Sequence, residues 1–493
     1  MKITHSLNKL IGSLFITSGL VFANPLLNVN TEEREVYENL EASKGVENIN
    51  FSIKPKSYYG TMPFIDDFRL DRIRLDTNSL DKSGFYIKPI NSFTAKFYIT
   101  NEEYTFIPNQ SGLKLRKGAN LFLYEDGFLS LGKRLVLYYQ LRQIKTKDYT
   151  KNELFRSYLK FFFYKFSFEG GIDNVHWGPG EYGNLLSNNA KPFPMLKLQT
   201  EDPIHFIGKW DFSFVKGYLH EDRKDRSNPE LMALRVTWKP VSWLEIGGTR
   251  LSLYGGTGRP TYKLIEYPKV LIGSEENVPF SKYDTEGYAG WDFTVYLNFL
   301  KKWFNSLEIA KFYYQEAGTD VKAFWQKEDK GEFYFPFGIR FLGTAYVTGL
   351  FFSTPKNIFR FELQTVSDIF YTHHFYNVEN MTYKGMSLGN PYGRNILHFY
   401  FKHRYYFDDT FSMEYRLGFL QKPAYKLSLY PLRMKRYYAS LLLTKKVKQF
   451  ILESYLRYDK TNNYNINPLP TKFDIIPEDK NFYILGFSLS YRL

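Results

Sequence analysis

From Leu397 to Phe419 the chain reads L-H-F-Y-F-K-H-R-Y-Y-F-D-D-T-F-S-M-E-Y-R-L-G-F. Leu397, Phe399 and Phe401 alternate with His398, Tyr400, Lys402 and Arg404, and Asp408-Asp409 interrupts the pattern. Phe411, Met413, Tyr415, Leu417 and Phe419 then alternate with Ser412, Glu414 and Arg416. A period of two sends successive side chains to opposite faces of a strand, so the stretch predicts a hairpin with one apolar and one charged face. The same period recurs elsewhere. Leu135, Leu137, Tyr139 and Leu141 oppose Arg134, Val136, Tyr138, Gln140 and Arg142. Met232, Leu234, Val236 and Trp238 oppose Ala233, Arg235, Thr237 and Lys239, and Phe359, Phe361 and Leu363 oppose Arg360, Glu362 and Gln364. The chain closes with Tyr483, Leu485, Phe487, Leu489, Tyr491 and Leu493 on one face and Ser488, Ser490 and Arg492 on the other.

Alternation alone fits two architectures. In a soluble sandwich the apolar face is the core; in a membrane barrel it faces lipid and the charged face lines the lumen. Export and composition choose between them. Lys2 and Lys9 flank a short apolar run, Leu10 to Phe22, and Val21 and Ala23 suit a cleavage site, so residues 1–23 are expected to be a signal peptide with Asn24 as the mature start. With Cys 0, an acylated N-terminal cysteine, disulfides and cysteine metal sites are excluded. No later run reaches the roughly 18 apolar residues of a spanning helix. Mean hydropathy is −0.38, yet Tyr 41 and Phe 46 raise the aromatic share to 19%. An exported chain with this aromatic excess, and with long charged residues on its polar faces, predicts an all-β fold. It is a large antiparallel barrel in the cell outer membrane, carrying aromatic girdles. Roughly 430 barrel residues suggest about 16–18 strands. Outer-membrane lipid and lipopolysaccharide are then its surroundings, and the barrel-assembly machinery is the partner that inserts it. The net charge of +14 would otherwise invite a nucleic acid; on an exported barrel it points to lipopolysaccharide phosphates or acidic sugars.

Two segments break the alternation. Asn30 and Glu33 form a capping pair, Val36, Tyr37 and Leu40 an apolar stripe, and Gly45 a stop. Residues 24–50 are therefore expected to be a periplasmic helical segment, with the barrel over 51–493. The second segment, H-W-G-P-G-E-Y-G-N-L-L-S-N-N-A-K-P-F-P from His176 to Pro194, is too rich in Gly, Pro and Asn for a strand and marks an insert at 174–195. His176, Trp177, Glu181, Tyr182, Asn188, Asn189, Lys191 and Phe193 combine aromatic faces, amides and charges, the groups that bind sugar rings, hydroxyls and uronates. The same residues suit a packed plug that satisfies its own backbone, and both readings stay open.

At this insert the chain resembles the Wzi family of outer-membrane capsule-assembly proteins. The family pattern W-G-P-G followed by L-S-N-N-A-(Arg/Lys)-P-F-P is matched by Trp177–Gly180 and Leu186–Pro194. Collinear similarities follow at Trp238-Lys239-Pro240, Leu244–Gly247, Arg250 and Gly255-Gly256. Others lie at Ala289–Phe293, Gly318–Asp320, Tyr371–Tyr376, Tyr383–Gly385 and Leu388-Gly389. Asn390 and Arg394 depart from the family's usual His and Asp. The resemblance implies a many-stranded barrel with inward-folded plug loops, a lumen largely occluded, and a role in holding or organising surface polysaccharide.

Catalysis is not expected: there is no G-x-S-x-G and no evident triad spacing. The pair His373-His374 is expected to be loop or lumen histidines rather than a metal site. Adjacent strand residues point apart, and no third ligand is evident nearby. No cofactor is implied. Lys445, Lys446 and Lys448 are expected in a solvated turn. The principal reading is a polysaccharide-binding capsule-assembly barrel. The alternative is a selective channel for anionic or sugar solutes lined by Arg134, Arg142, Arg235, Arg360, Glu362, Lys402, Arg404, Glu414 and Arg416; a lipid or glycan hydrolase is the least favoured.

Overall fold

The computed structural model describes residue 28 and residues 34–43, 45–46, 49–57, 84–103, 107–132, 134–273, 275–276, 278, 281–323, 339–423, 432–464 and 478–492. The expected signal peptide and the capping pair Asn30 and Glu33 lie outside the described residues.

The wall is a closed antiparallel barrel of 18 strands, with one extra short strand, at the upper end of the expected range. In chain order its strands are β1 (Phe85–Thr100), β2 (Gly118–Leu131), β3 (Leu135–Thr146), β4 (Thr150–Phe163), β5 (Phe166–Asp173) and β6 (Phe193–Thr200). Next come β7 (Lys209–Tyr218), β8 (Glu230–Val241), β9 (Leu244–Tyr254), β10 (Glu286–Tyr296), β11 (Ile309–Ala323) and β12 (Ile339–Ser353). The last six are β13 (Asn357–Val366), β14 (Ile396–Tyr406), β15 (Phe411–Lys422), β16 (Met434–Val447), β17 (Phe450–Asn462) and β18 (Lys480–Arg492). Pairing of β1 with β18, Phe97 opposite Phe487, closes the ring and leaves no open edge in the wall. The hairpin from which the fold was read is β14–β15, with Phe401 opposite Leu417 and Arg404 opposite Glu414.

The faces settle which way the alternation runs. Leu137, Leu159, Phe161, Leu363, Phe399, Leu417, Leu456, Phe487 and Leu489 are exposed, whereas Arg142, Arg235, Arg360, Lys402, Arg404, Glu414 and Arg457 are buried. A protein in water would lose about 1.5–3 kcal/mol for each large apolar side chain left exposed, so this face is built for lipid. Alternate ends of the strands differ too. The turns at 132–134, 164–165, 242–243, 354–356, 407–410 and 448–449 are short, and both the start of β1 and the end of β18 lie at that end. The segments 174–192, 255–285 and 367–395 join strands at the other end. Short turns mark the periplasmic end of an outer-membrane barrel. Exposed Phe163, Tyr164, Phe206, Trp243, Trp303, Phe304 and Phe407 gather at or beside the connections of that end as an aromatic girdle.

Inside the ring lies the helix α1 (Arg34–Ala42), with Val36, Tyr37 and Leu40 buried and Gly45 following at φ 88. Residues 49–57 also run through the interior. Ile53–Lys54 there pairs antiparallel with His176–Trp177 of the insert. The first described strand of the wall starts at Phe85.

Candidate functional site

The helix α1 has the sequence R-E-V-Y-E-N-L-E-A, with Glu35, Glu38 and Glu41 three residues apart on one side. The facing wall is basic. Glu35 meets Lys446 at 2.7 Å, and Glu38 meets Lys402 at 2.5 Å and Arg404 at 2.8 Å. Glu41 meets Lys311 at 2.6 Å and also pairs with Arg360. Burial by itself would raise the Glu41 carboxyl, but Arg360 and Lys311 hold it down at about 2. Lys446, read from sequence as a turn residue, therefore points inward from the end of β16. Because the folded Glu41 value lies below the ordinary 4.5, its contribution is complete above pH 4.5 and is lost as pH falls toward 2. At about 1.4 kcal/mol per pKa unit this is on the order of 3 kcal/mol. Hydrogen-exchange protection of the 36–43 amides, corrected for intrinsic rate, is expected to fall across that window while the wall stays protected.

The insert joins β5 to β6, and from 174 to 192 every residue is buried except Glu181 and Lys191, which are partly exposed. Its backbone is tied to other segments at several points. The Gly178 amide donates to the Ser52 carbonyl at 2.9 Å, and the Ser111 and Gly112 amides donate to the Asn188 and Asn189 carbonyls at 2.8 and 2.9 Å. The Ser187 hydroxyl donates to the Gly389 carbonyl at 2.6 Å, and the Asn189 amide group to Ser387 at 3.0 Å. Gly178 sits at φ 110, a conformation that favours glycine, which accounts for the first glycine of W-G-P-G.

The eight residues read from sequence divide accordingly. Trp177 is 1% exposed in a core with Ile53, Leu186 and Phe193. Tyr182 packs edge-on to Tyr400 at 5.2 Å. His176 bonds through Nε2 to the Gly180 carbonyl at 3.0 Å, and burial with the nearby Lys54 ammonium pushes it down to about 3. Asn188 and Asn189 are buried in backbone bonding. Glu181 bridges Lys402 at 2.8 Å, and Lys191 meets Glu153 at 2.7 Å. Eight of the nine residues named for a channel are likewise paired, as with Arg235 and Asp292 at 2.7 Å, whereas Arg134 is exposed at a short turn.

The outer mouth carries further groups, among them aromatic and cationic side chains that the sequence reading did not single out. Residues 255–285 hold Tyr262 and Tyr283 with ring centroids 5.9 Å apart, and Lys282 lies 5.4 Å from the Tyr262 ring. Arg259 lies 3.9 Å over Phe375 of the 367–395 segment. Among the described residues, His373 and His374 both turn toward Asp284. The loop frees them from the strand rule that placed them on opposite faces. The carboxylate said to be absent nearby comes from 90 residues earlier in the chain.

The family model for capsule assembly protein Wzi matches residues 99–472. The chain belongs to the Wzi capsule-assembly family. Wzi of Escherichia coli, an outer-membrane carbohydrate-binding β-barrel involved in group 1 capsule assembly, aligns with 96% of this chain and 100% of its own, at TM-score 0.67 and 16% identity. Pseudomonas aeruginosa OpdQ aligns with 82% of this chain and 97% of its own, at TM-score 0.50 and 10% identity. These identities speak for the fold alone. An uncharacterized 55.8 kDa protein of the Klebsiella pneumoniae cps region is 24% identical over 156 residues, which span 30% of this chain and 29% of that protein. A Wzi-family barrel of this form is an outer-membrane protein.

Proposed function

We propose that this protein binds surface polysaccharide and holds or organises it at the cell surface, by contact and without chemistry. The observation that carries the reading is the filled lumen. Glu38, Glu41 and Glu181 neutralise Lys402, Arg404, Lys311 and Arg360, the side chains a selective pore would leave free for solute. Membership of a capsule-assembly family and the carbohydrate binding of Escherichia coli Wzi give the ligand its class. Tyr262, Tyr283 and Phe375, beside Arg259 and Lys282, are half-buried at the outer mouth and combine ring faces with cations, the chemistry of an acidic sugar site. Within the insert, Lys191 keeps part of its side chain exposed for direct contact, Glu181 is engaged by Lys402 and Arg360, and the other six residues act as plug. On this reading residues 24–50 enter from the periplasm, the apolar wall sits in lipid and lipopolysaccharide, and the barrel-assembly machinery inserts it.

The test pairs glycan binding with conductance. Purified protein should retain cell-derived polysaccharide and stay near baseline in a planar bilayer. Tyr262→Ala with Tyr283→Ala should weaken retention by roughly tenfold or more, at about 1 kcal/mol for each stacked ring. No binding to any cell-derived glycan, together with full retention of surface polysaccharide in a deletion strain, would end this reading.

A further inference from the structure

Asp284 lies two residues before β10, and His373 and His374 lie in the segment between β13 and β14. His374 Nε2 is 3.0 Å from Asp284 Oδ2, and His373 Nε2 is 3.3 Å from Oδ1. Ligand atoms around a tetrahedral zinc, with bonds of about 2.0–2.1 Å, lie about 3.3 Å from one another. One ligand atom from each of the three residues lies within 4.8 Å of the other two, close enough to converge on one ion. The Asp284 side chain is 1% exposed and that of His373 6%, and His373 Nε2 and Asp284 Oδ1, 3.3 Å apart, have no partner but each other. A bound cation would replace this long contact with direct ligand bonds to both groups. His374 is 55% exposed and opens the group to a cavity of about 350 Å³ that Glu276 and Glu286 also line. Two cations stand near. Arg250 is paired with Glu276 at 2.5 Å, and Arg259 donates to the Asp284 main-chain carbonyl at 2.6 Å, leaving the carboxylate to the imidazoles.

We infer that Asp284, His373 and His374 form a binding site for a divalent transition-metal cation, zinc by its ligand chemistry, which ties the 255–285 segment to the 367–395 segment at the outer mouth. Two imidazoles and a carboxylate are a zinc donor set, and the cavity beside His374 leaves room for a fourth ligand from solvent. Each ring binds through Nε2 and so carries its proton on Nδ1. On His373 that nitrogen now accepts from the Phe375 amide at 3.3 Å, a weak contact that opens on binding. The inference is independent of the polysaccharide reading.

Metal-free full-length protein in detergent, titrated with zinc alone against a chromophoric chelator, should take up one equivalent. Even an outer-shell partner of a metal site is worth about 10–100-fold in affinity, so loss of a direct ligand in Asp284→Asn or His374→Ala should cost at least that. His374 is exposed, so its variant tests the site without risk to folding, whatever becomes of Asp284→Asn. A wild type that takes up no zinc, or a His374→Ala variant that binds as tightly as wild type, overturns the inference.

Discussion

Glu41→Ala is expected to release the inner helix from the barrel while the wall stays folded. Glu41 lies buried between Lys311 and Arg360, and no residue of α1 other than Glu41 reaches either of those cations in a salt bridge among the described residues. Removing the carboxylate leaves the buried Lys311 without its salt-bridge partner and Arg360 with only Glu362 and Glu181, and an uncompensated buried charge costs about 3–5 kcal/mol. The nine-residue α1 has little stability to set against this, because helices shorter than about 12–15 residues are marginal without packing. The wall has its own unbroken ladder of strand pairing and loses only these contacts. Trypsin should therefore cut the variant after Lys56, a position buried in the wild type, while heat-modifiable migration of the barrel persists. Undiminished protection in Glu41→Ala would show that the acid–base match does not hold the helix. Glu41→Gln, which keeps the shape and loses the charge, should fall between the two.

Trp177→Ala should cost about 3–5 kcal/mol, the range for truncating a fully buried large aromatic side chain. Trp177 joins the insert to Ile53 of the inner strand and to Phe193 at the start of β6, so the cavity would form where three chain segments meet. Chemical unfolding in detergent should show the loss, with proteolysis beginning within 174–192. The same variant is a poor probe of sugar contact. A side chain 1% exposed cannot stack on a ring from solution, and any fall in glycan binding would report a disordered plug. Tyr182, packed on Tyr400, is subject to the same argument. If Trp177→Ala were as stable as wild type, the insert would not be the packed element described above.

Much of the architecture was legible because strand alternation is a local property. Leu397 to Phe419 gave a hairpin, its turn and the two faces, each confirmed in the register of β14 with β15. The insert was legible for the same reason, since Gly, Pro and Asn announce turns wherever they occur. Its role was not. Whether Asn188 touches a sugar or a neighbouring carbonyl depends on residues 109–112 and 387–389, far away in sequence. The lysine cluster shows the limit of reading composition: Lys445 and Lys446 end a strand and Lys448 lies in the turn, but the strand parity that sends Lys446 inward becomes meaningful only with a partner such as Glu35 inside. The periodic acids of α1 were present to be counted. The apolar stripe of Val36, Tyr37 and Leu40 drew the reading instead, and a buried acidic face makes sense only against a basic wall.

The sequence alone determined an exported, aromatic, antiparallel outer-membrane barrel of about 16–18 strands, its family resemblance, and the position of the segment that interrupts it. These follow from periods and turn residues, encoded within a few residues of one another. Tertiary structure alone decided that the lumen is filled by an acidic helix against basic strands, that six of the eight insert residues are interior, and that Asp284 meets His373 and His374. Those outcomes turn on contacts such as Glu38 with Lys402, 364 residues apart. Closing a sheet into a ring brings distant strands to face one lumen, and no local pattern records which of them will meet.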